Sequence, residues 1–238
     1  MLKGTFYGIG VGPGENGLLT VRAVEILRKT DILCVPGRIP GAESRALSAV
    51  RPYLQPHVPL AELLFPMSRD SSVLERHWLA AARQVADLLA EHESVSFVTI
   101  GDPLTYSTCG YLLSYLRRLH PEVKTEIVPG VTSFQAAAAL LQLPLVEGDE
   151  RLALVTAPLE QEELAVLLKR FSTIVILKVS AAFDHTLDLL RQEKDALNIY
   201  LVTACGSGDE FYTADPFALY GQPVEYLSLL IVRRRSSS

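Results

Sequence analysis

Short apolar, β-branched runs alternate along this chain with longer stretches whose apolar residues return every three or four positions. The first pattern suits a buried strand and the second an amphipathic helix. The spacing predicts a strand over Thr5–Gly10, a helix over Leu18–Arg28 with Val21, Val24 and Leu27 on one face, and a strand over Asp31–Val35. A short helix near Glu43–Val50 leads into the proline-rich stretch Pro52–Pro66, which holds one strand around Val58–Leu63. The longest helical pattern is Ser71–Glu91, with Leu74, Trp78, Ala81, Val85 and Leu88 on one face and Ser71 or Ser72 as its cap. Val95–Ile100 reads as the next strand and Ser107–Leu119 as the next helix.

Alternation of this kind builds a mostly parallel sheet covered on both faces. The polar segment Arg117-Arg-Leu-His-Pro-Glu122 marks the expected boundary between domains 1–120 and 121–238. Beyond it the pattern repeats, with strands at Lys124–Val128, Arg151–Thr156 and Thr173–Lys178. Helices are expected over Ser133–Leu141, Glu160–Phe171 and Phe183–Glu193. Three runs then follow with no room for helices between them, Asn198–Thr203, Glu210–Thr213 and Glu225–Val232, which implies antiparallel pairing. The expected class is therefore α/β, two αβα domains with a mostly parallel first sheet and a mixed second sheet.

Hydrophobic residues make up 49% of the 238, enough to bury one large or two small cores. A net charge of −5 with scattered basic residues argues against a general nucleic-acid surface. The cluster Arg233-Arg234-Arg235, followed by three serines, reads as a solvated, frayed terminus. No run approaches the roughly 18 apolar residues of a membrane span, and the start lacks the apolar core of a signal peptide. Cys34, Cys109 and Cys205 are far apart and odd in number, so a disulfide framework is not expected. The five histidines show no metal-ligand spacing. The expectation is a soluble cytoplasmic protein with no metal site, no nucleic-acid partner and no membrane partner.

Five small-residue segments close strands. Gly8-Ile-Gly-Val-Gly-Pro-Gly14 follows the first, where glycines admit close backbone approach and loop N–H groups can cradle an anion. It is not a dinucleotide fingerprint: counted from Gly8 the third glycine falls on Val11 or Pro13, and counted from Gly10 it falls on Glu15. It is not a phosphate loop either, because Leu18 stands where the lysine belongs. Gly101-Asp102-Pro103 ends the strand at Ile100, and Val128-Pro-Gly-Val-Thr-Ser133 brings two hydroxyls to a helix start, where either also serves as a cap. Lys178 closes the apolar run Ile174–Leu177, and Cys205-Gly-Ser-Gly-Asp209 follows a later strand. Turn and cap chemistry explains each segment alone. Together they sit at successive strand ends in both halves, which is where α/β proteins hold ligands, so a ligand cleft between two α/β domains is expected.

The residues resemble the tetrapyrrole (corrin) methyltransferases that use S-adenosylmethionine. The general resemblance lies in GIGVGPG followed by Leu18-Leu-Thr20, in Gly101-Asp-Pro103 and in Val128-Pro-Gly-Val-Thr-Ser133, and it spans nearly the whole chain. Phe65-Pro-Met-Ser-Arg-Asp70, Gly101-Asp-Pro-Leu-Thr-Tyr-Ser-Thr108 and Val224-Glu-Tyr-Leu-Ser228 resemble the members that methylate C20 of precorrin-2 or cobalt-factor II in cobalamin biosynthesis. Two departures stand out. Glu15-Asn16-Gly17 replaces the Asp-Pro-Glu common in relatives, and Arg38 stands where a lysine-serine pair is usual.

The resemblance implies a homodimer of two αβα domains with the cofactor folded into the cleft between them, released as S-adenosylhomocysteine. Carried over by position, the cofactor contacts are Pro13, Ile100, Gly101, Asp102, Thr105, Thr132 and Ser133, with Lys178, Ala204 and Gly206 completing the pocket. Asp102 is expected to bind the cofactor or to help remove the substrate's meso-carbon proton, and Tyr106 to orient the macrocycle or relay that proton. Gly12 lies close to the substrate. Tyr111 and Tyr115, one helical turn apart, are expected on its side, and Arg38, Arg45 and Arg69 are the cations for its rim carboxylates. Two alternatives remain open: a sister enzyme acting at another ring position, and a non-catalytic α/β ligand-binding module.

Overall fold

Five strands of the first half pair side by side and all in parallel, in the computed structural model, which describes residues 2–37, 41, 44–68 and 70–235. They are β1 (Thr5–Gly10), β2 (Ile32–Gly37), β3 (Leu60–Leu64), β4 (Ser94–Thr99) and β5 (Lys124–Val128), in the order β3-β2-β4-β1-β5. The helices α1 (Val21–Leu27), α2 (Arg45–Val50), α3 (Ser71–Glu91) and α4 (Thr108–Leu119) provide the crossovers. The three central strands β1, β2 and β4 are mostly buried on both faces, which is why they read as largely apolar runs, whereas the edge strands β3 and β5 are partly exposed. Phe6, Cys34, Val95 and Phe97 pack against α3 and α4 on one face, and Ile9, Leu33 and Val98 against α1 and α2 on the other.

The chain divides into a unit of residues Met1–Thr132 and a second of Ser133–Ser238. The boundary expected at 120/121 lies before β5, but β5 pairs with β1 from Thr5↔Lys124 to Ile9↔Val128 and so belongs to the first sheet. Two local expectations also change. Thr20 accepts a hydrogen bond from Ala23 N–H and starts α1 at Val21, so the helix buries Ala23, Ile26 and Leu27 and leaves Val21 76% exposed. The cap of α3 is Asp70, whose carboxylate accepts from the Ser72 and Val73 N–H groups. The side-chain bond from Ser72, with those two, holds that carboxyl below the usual carboxylate range. At the end of α3 Leu89 is fully buried, and Leu88 packs half-buried against the same core as expected.

The second unit holds α5 (Ser133–Leu140), β6 (Leu152–Thr156), α6 (Gln161–Arg170), β7 (Thr173–Leu177), α7 (Phe183–Leu190), β8 (Leu197–Thr203), β9 (Phe211–Thr213) and β10 (Ser228–Arg234). Its sheet runs β6-β7-β10-β8-β9, parallel between β6 and β7 and antiparallel elsewhere, as the crowded strands at this end require. α6 and α7 cover one face through Leu164, Phe183 and Leu187, and α5 covers part of the other through Ala137. Arg233 is not a frayed terminus. It lies in β10, its side chain only 11% exposed, and donates to Pro144 O at 2.6 Å and to Glu147 and Glu150 at 2.9 Å each. No helix among the described residues is long and apolar enough to cross a membrane.

Candidate ligand-binding site

Parallel pairing brings the carboxyl ends of β4, β1 and β5 together, and the three turns that follow meet there. The contact is too close for side chains. A Cβ on Gly10 would stand 2.6 Å from both Gly101 O and Gly130 N, and one on Gly130 would stand 2.2 Å from Gly101 O. Gly12 and Gly101, both at φ +73°, form a two-residue bridge, with Gly101 N–H donating to Gly12 O at 2.7 Å and Gly12 N–H to Gly101 O at 3.3 Å. That left-handed conformation is one glycine adopts without a Cβ penalty.

Asp102 ties these turns to one another. Its Oδ1 accepts from Leu104 N–H and the Thr105 hydroxyl, and its Oδ2 accepts from Gly130 N–H at 3.2 Å. Thr99 and Ser107 hydroxyls, 3.0 Å apart, close the neck of the loop, and Ser107 also caps α4 by accepting from Cys109 N–H. Ser107, Thr99 and Gly130 were not singled out from sequence. Ser107 and Gly130 lie within the Gly101–Thr108 and Val128–Ser133 motifs, whereas Thr99 had only its place at a strand end. Tyr106 rises from this loop with φ +50° and is 51% exposed.

The other expected residues of the first unit fall in several places. Gly12, Pro13 and Gly101 are buried at the strand ends, and Ile100, Thr105 and Thr132 are half-buried beside them. Tyr111 stacks on Trp78 of α3, ring centroids 4.3 Å apart and 4° from parallel, and Tyr115 lies 6.0 Å from the same indole. Burial first, and then a hydrogen bond to Glu75, raise the Tyr115 phenol above its usual range. Both rings therefore serve the α3–α4 contact. Arg45 is the exposed first residue of α2. Arg38 and Arg69 lie outside the described residues. Burial pushes the thiols of Cys34 and Cys109 up to about 12, with the charge of Asp102 adding to the effect at Cys109, so neither is a nucleophile at neutral pH.

In the second unit β10 runs antiparallel to both β7 and β8, so the ends of those strands lie on one edge, opposite Leu229 and Ser228. Lys178 follows β7 at φ +57°, and Ala204 follows β8 at φ +47°. Gly206 comes next at φ +74°, its N–H donating to the Glu210 carboxylate at 2.8 Å. Glu210 was not foreseen; nothing in the sequence marks a carboxylate four residues on as the partner of that turn. Ser133 opens α5. The described non-glycine residues with positive φ are Tyr106, Gln142, Lys178 and Ala204. Three of the four are expected site residues, and each such backbone costs on the order of 1–3 kcal/mol, the kind of strain that concentrates at ligand sites.

Two α/β units, each with strained, small-residue turns at the carboxyl ends of its strands, define an α/β ligand-binding protein. Residues 5–218 match the Tetrapyrrole (Corrin/Porphyrin) Methylases, and the chain belongs to that family. It is 36% identical over 230 residues to the probable cobalt-precorrin-2 C(20)-methyltransferase of Methanocaldococcus jannaschii, covering 96% of this chain and 95% of that one. It is also 36% identical over 191 residues to the cobalt-precorrin-2 C(20)-methyltransferase of Salmonella typhimurium, covering 80% and 79%. The fold matches the uroporphyrin-III C-methyltransferase of Thermus thermophilus, solved in complex with S-adenyl homocysteine, at a TM-score of 0.65 and 24% identity over 97% of each chain.

Proposed function

We propose that this chain transfers a methyl group from S-adenosylmethionine to C20 of precorrin-2 or cobalt-factor II in cobalamin biosynthesis. The observation that carries the reading is the 36% identity to a C20-methyltransferase over nearly the full length of both chains. The first unit fits such a cofactor. Gly101 is buried, yet a Cβ there would meet nothing within 4 Å, so a ligand atom can lie against its backbone. When bound, S-adenosylmethionine supplies a methyl already activated on a sulfonium.

The chain's own task is alignment in a dry site, which contributes on the order of 7–11 kcal/mol to such a reaction. Pro13, Ile100, Gly101, Thr105 and Thr132 of the first unit, and Ser133, Lys178, Ala204 and Gly206 of the second, are assigned to the cofactor. Tyr106, exposed in the loop after β4, is assigned to the macrocycle, which it orients or from which it relays a proton. Gly12, Arg38, Arg45 and Arg69 are assigned to the substrate, the arginines to its rim carboxylates. Tyr111 and Tyr115, which pack on Trp78 of α3, are assigned to the substrate side of α4. The enzyme is proposed to work in the cytoplasm as a homodimer, which sedimentation of the purified chain tests directly.

Incubation with S-adenosylmethionine carrying a 13C methyl, and either precorrin-2 or cobalt-factor II, should add one methyl, located at C20 by NMR. Labelling at another ring carbon would leave the family intact and remove the C20 assignment. Absence of S-adenosylhomocysteine binding by calorimetry would favour a non-catalytic ligand-binding module.

A further inference from the structure

The carboxylate of Asp102 is almost fully used by its own surroundings. Oδ1 accepts from Leu104 N–H at 3.0 Å and from the Thr105 hydroxyl at 3.1 Å, and Oδ2 accepts from Gly130 N–H at 3.2 Å. Two of these donors are backbone N–H groups, which can only donate, so both oxygens act as acceptors. A carboxylate offers about four acceptor positions, and the turn takes three of them. A group arranged in this way is poorly placed to collect a proton from a substrate and well placed to hold its neighbours.

The consequence falls on Thr105. A hydroxyl has one proton and two lone pairs, and Thr105 gives its proton to Asp102. Only acceptor capacity remains on that oxygen. The negative charge of Asp102 stands 3.1 Å behind it, which favours a cationic donor over a neutral one. We infer that Asp102 is a positioning residue that fixes Thr105 as an acceptor-only contact for the α-ammonium of the cofactor's amino-acid portion. The inference rests on the S-adenosylmethionine reading, because the α-ammonium is that cofactor's one cationic hydrogen-bond donor.

The test is calorimetric, with S-adenosylhomocysteine and the same thioether lacking its α-amino group. The wild-type protein should bind the deaminated compound about tenfold or more weakly, the range of a charge-assisted hydrogen bond. Thr105→Val should weaken S-adenosylhomocysteine binding to that lower level while leaving the deaminated compound unaffected, and Thr105→Ser should restore the wild-type ratio. Asp102→Asn, which keeps an acceptor oxygen for Thr105 but removes the charge, should reduce the discrimination and raise KM for the cofactor, with kcat within about tenfold of wild type. Equal losses for both compounds in Thr105→Val would overturn the inference, as would a wild-type ratio near one. So would an Asp102→Asn variant with unchanged cofactor affinity and kcat lower by about a thousandfold, the behaviour of a general base. No binding of either compound to the wild-type protein would remove the S-adenosylmethionine reading itself.

Discussion

Gly130→Ala is the most demanding test of the strand-end junction. The added methyl would stand 2.2 Å from Gly101 O, 2.8 Å from Gly10 C and 2.9 Å from Gly10 Cα. All three are backbone atoms of neighbouring turns, so no side chain can rotate away to make room. Reaching an ordinary separation requires one turn to retreat by about 1 Å. Small-to-large changes in packed positions cost about 1–3 kcal/mol, and the upper end is expected where only backbone can yield. The same retreat stretches the Gly130 N–H bond to Asp102, now 3.2 Å, and shifts the site's donors. A displacement of about 1 Å in a positioning element can lower a rate about a hundredfold. Urea unfolding should therefore show a loss of about 3 kcal/mol, and S-adenosylhomocysteine titration a weaker complex. A variant within about 0.5 kcal/mol of wild type, binding with unchanged affinity, would mean that the three turns are not held by this contact.

Three further outcomes follow from other parts of the chain. Gly110 lies in α4 with open space where a Cβ would go, so Gly110→Ala should stabilise the first unit by about 0.5–1 kcal/mol in the same urea assay; destabilisation would contradict that geometry. Arg233→Ala removes three hydrogen bonds, two of them to carboxylates, and should cost about 2 kcal/mol, whereas an unchanged midpoint would return Arg233 to the solvent. At about pH 8.5, where a free thiol is half ionised, Cys34 and Cys109 should resist iodoacetamide until urea unfolds the chain; rapid modification of either in the native protein would show that its burial is incomplete.

Element types were readable because this fold declares them locally. A strand buried on both faces reads as a run of β-branched and aromatic residues, and most runs here are closed by Gly, Pro or a hydroxyl residue, with Lys178 after β7 an exception. Partnership was not local. Nothing within Lys124–Val128 says that it pairs with β1, because that choice is made by how α4 crosses back over the sheet. Helix faces were legible only in part: Leu27 lies on the buried face of α1 as expected, but Val21, its first residue, points outward while Ala23 and Ile26 are buried. Tyr111 and Tyr115 carried the right spacing for a shared face, but the partner on that face is Trp78, more than thirty residues away. The strand-end turns were visible as motifs, while the bonds from Asp102 to Gly130 and from Glu210 to Gly206 required coordinates.

The placing of β10 between β7 and β8 has a consequence for biosynthesis. A ribosome releases β6 to β9 before the strand that joins them exists. Until Ser228–Arg234 emerges, the second sheet is two separate pairs, β6 with β7 and β8 with β9, and two-stranded pieces are marginal in water. The first sheet is different, since its last strand, β5, is an edge and adds to a ladder already formed. Nascent chains should accordingly bury the first unit early and carry exposed strand edges from the second until translation has passed Arg234, which makes that interval the one in which a chaperone has most to protect.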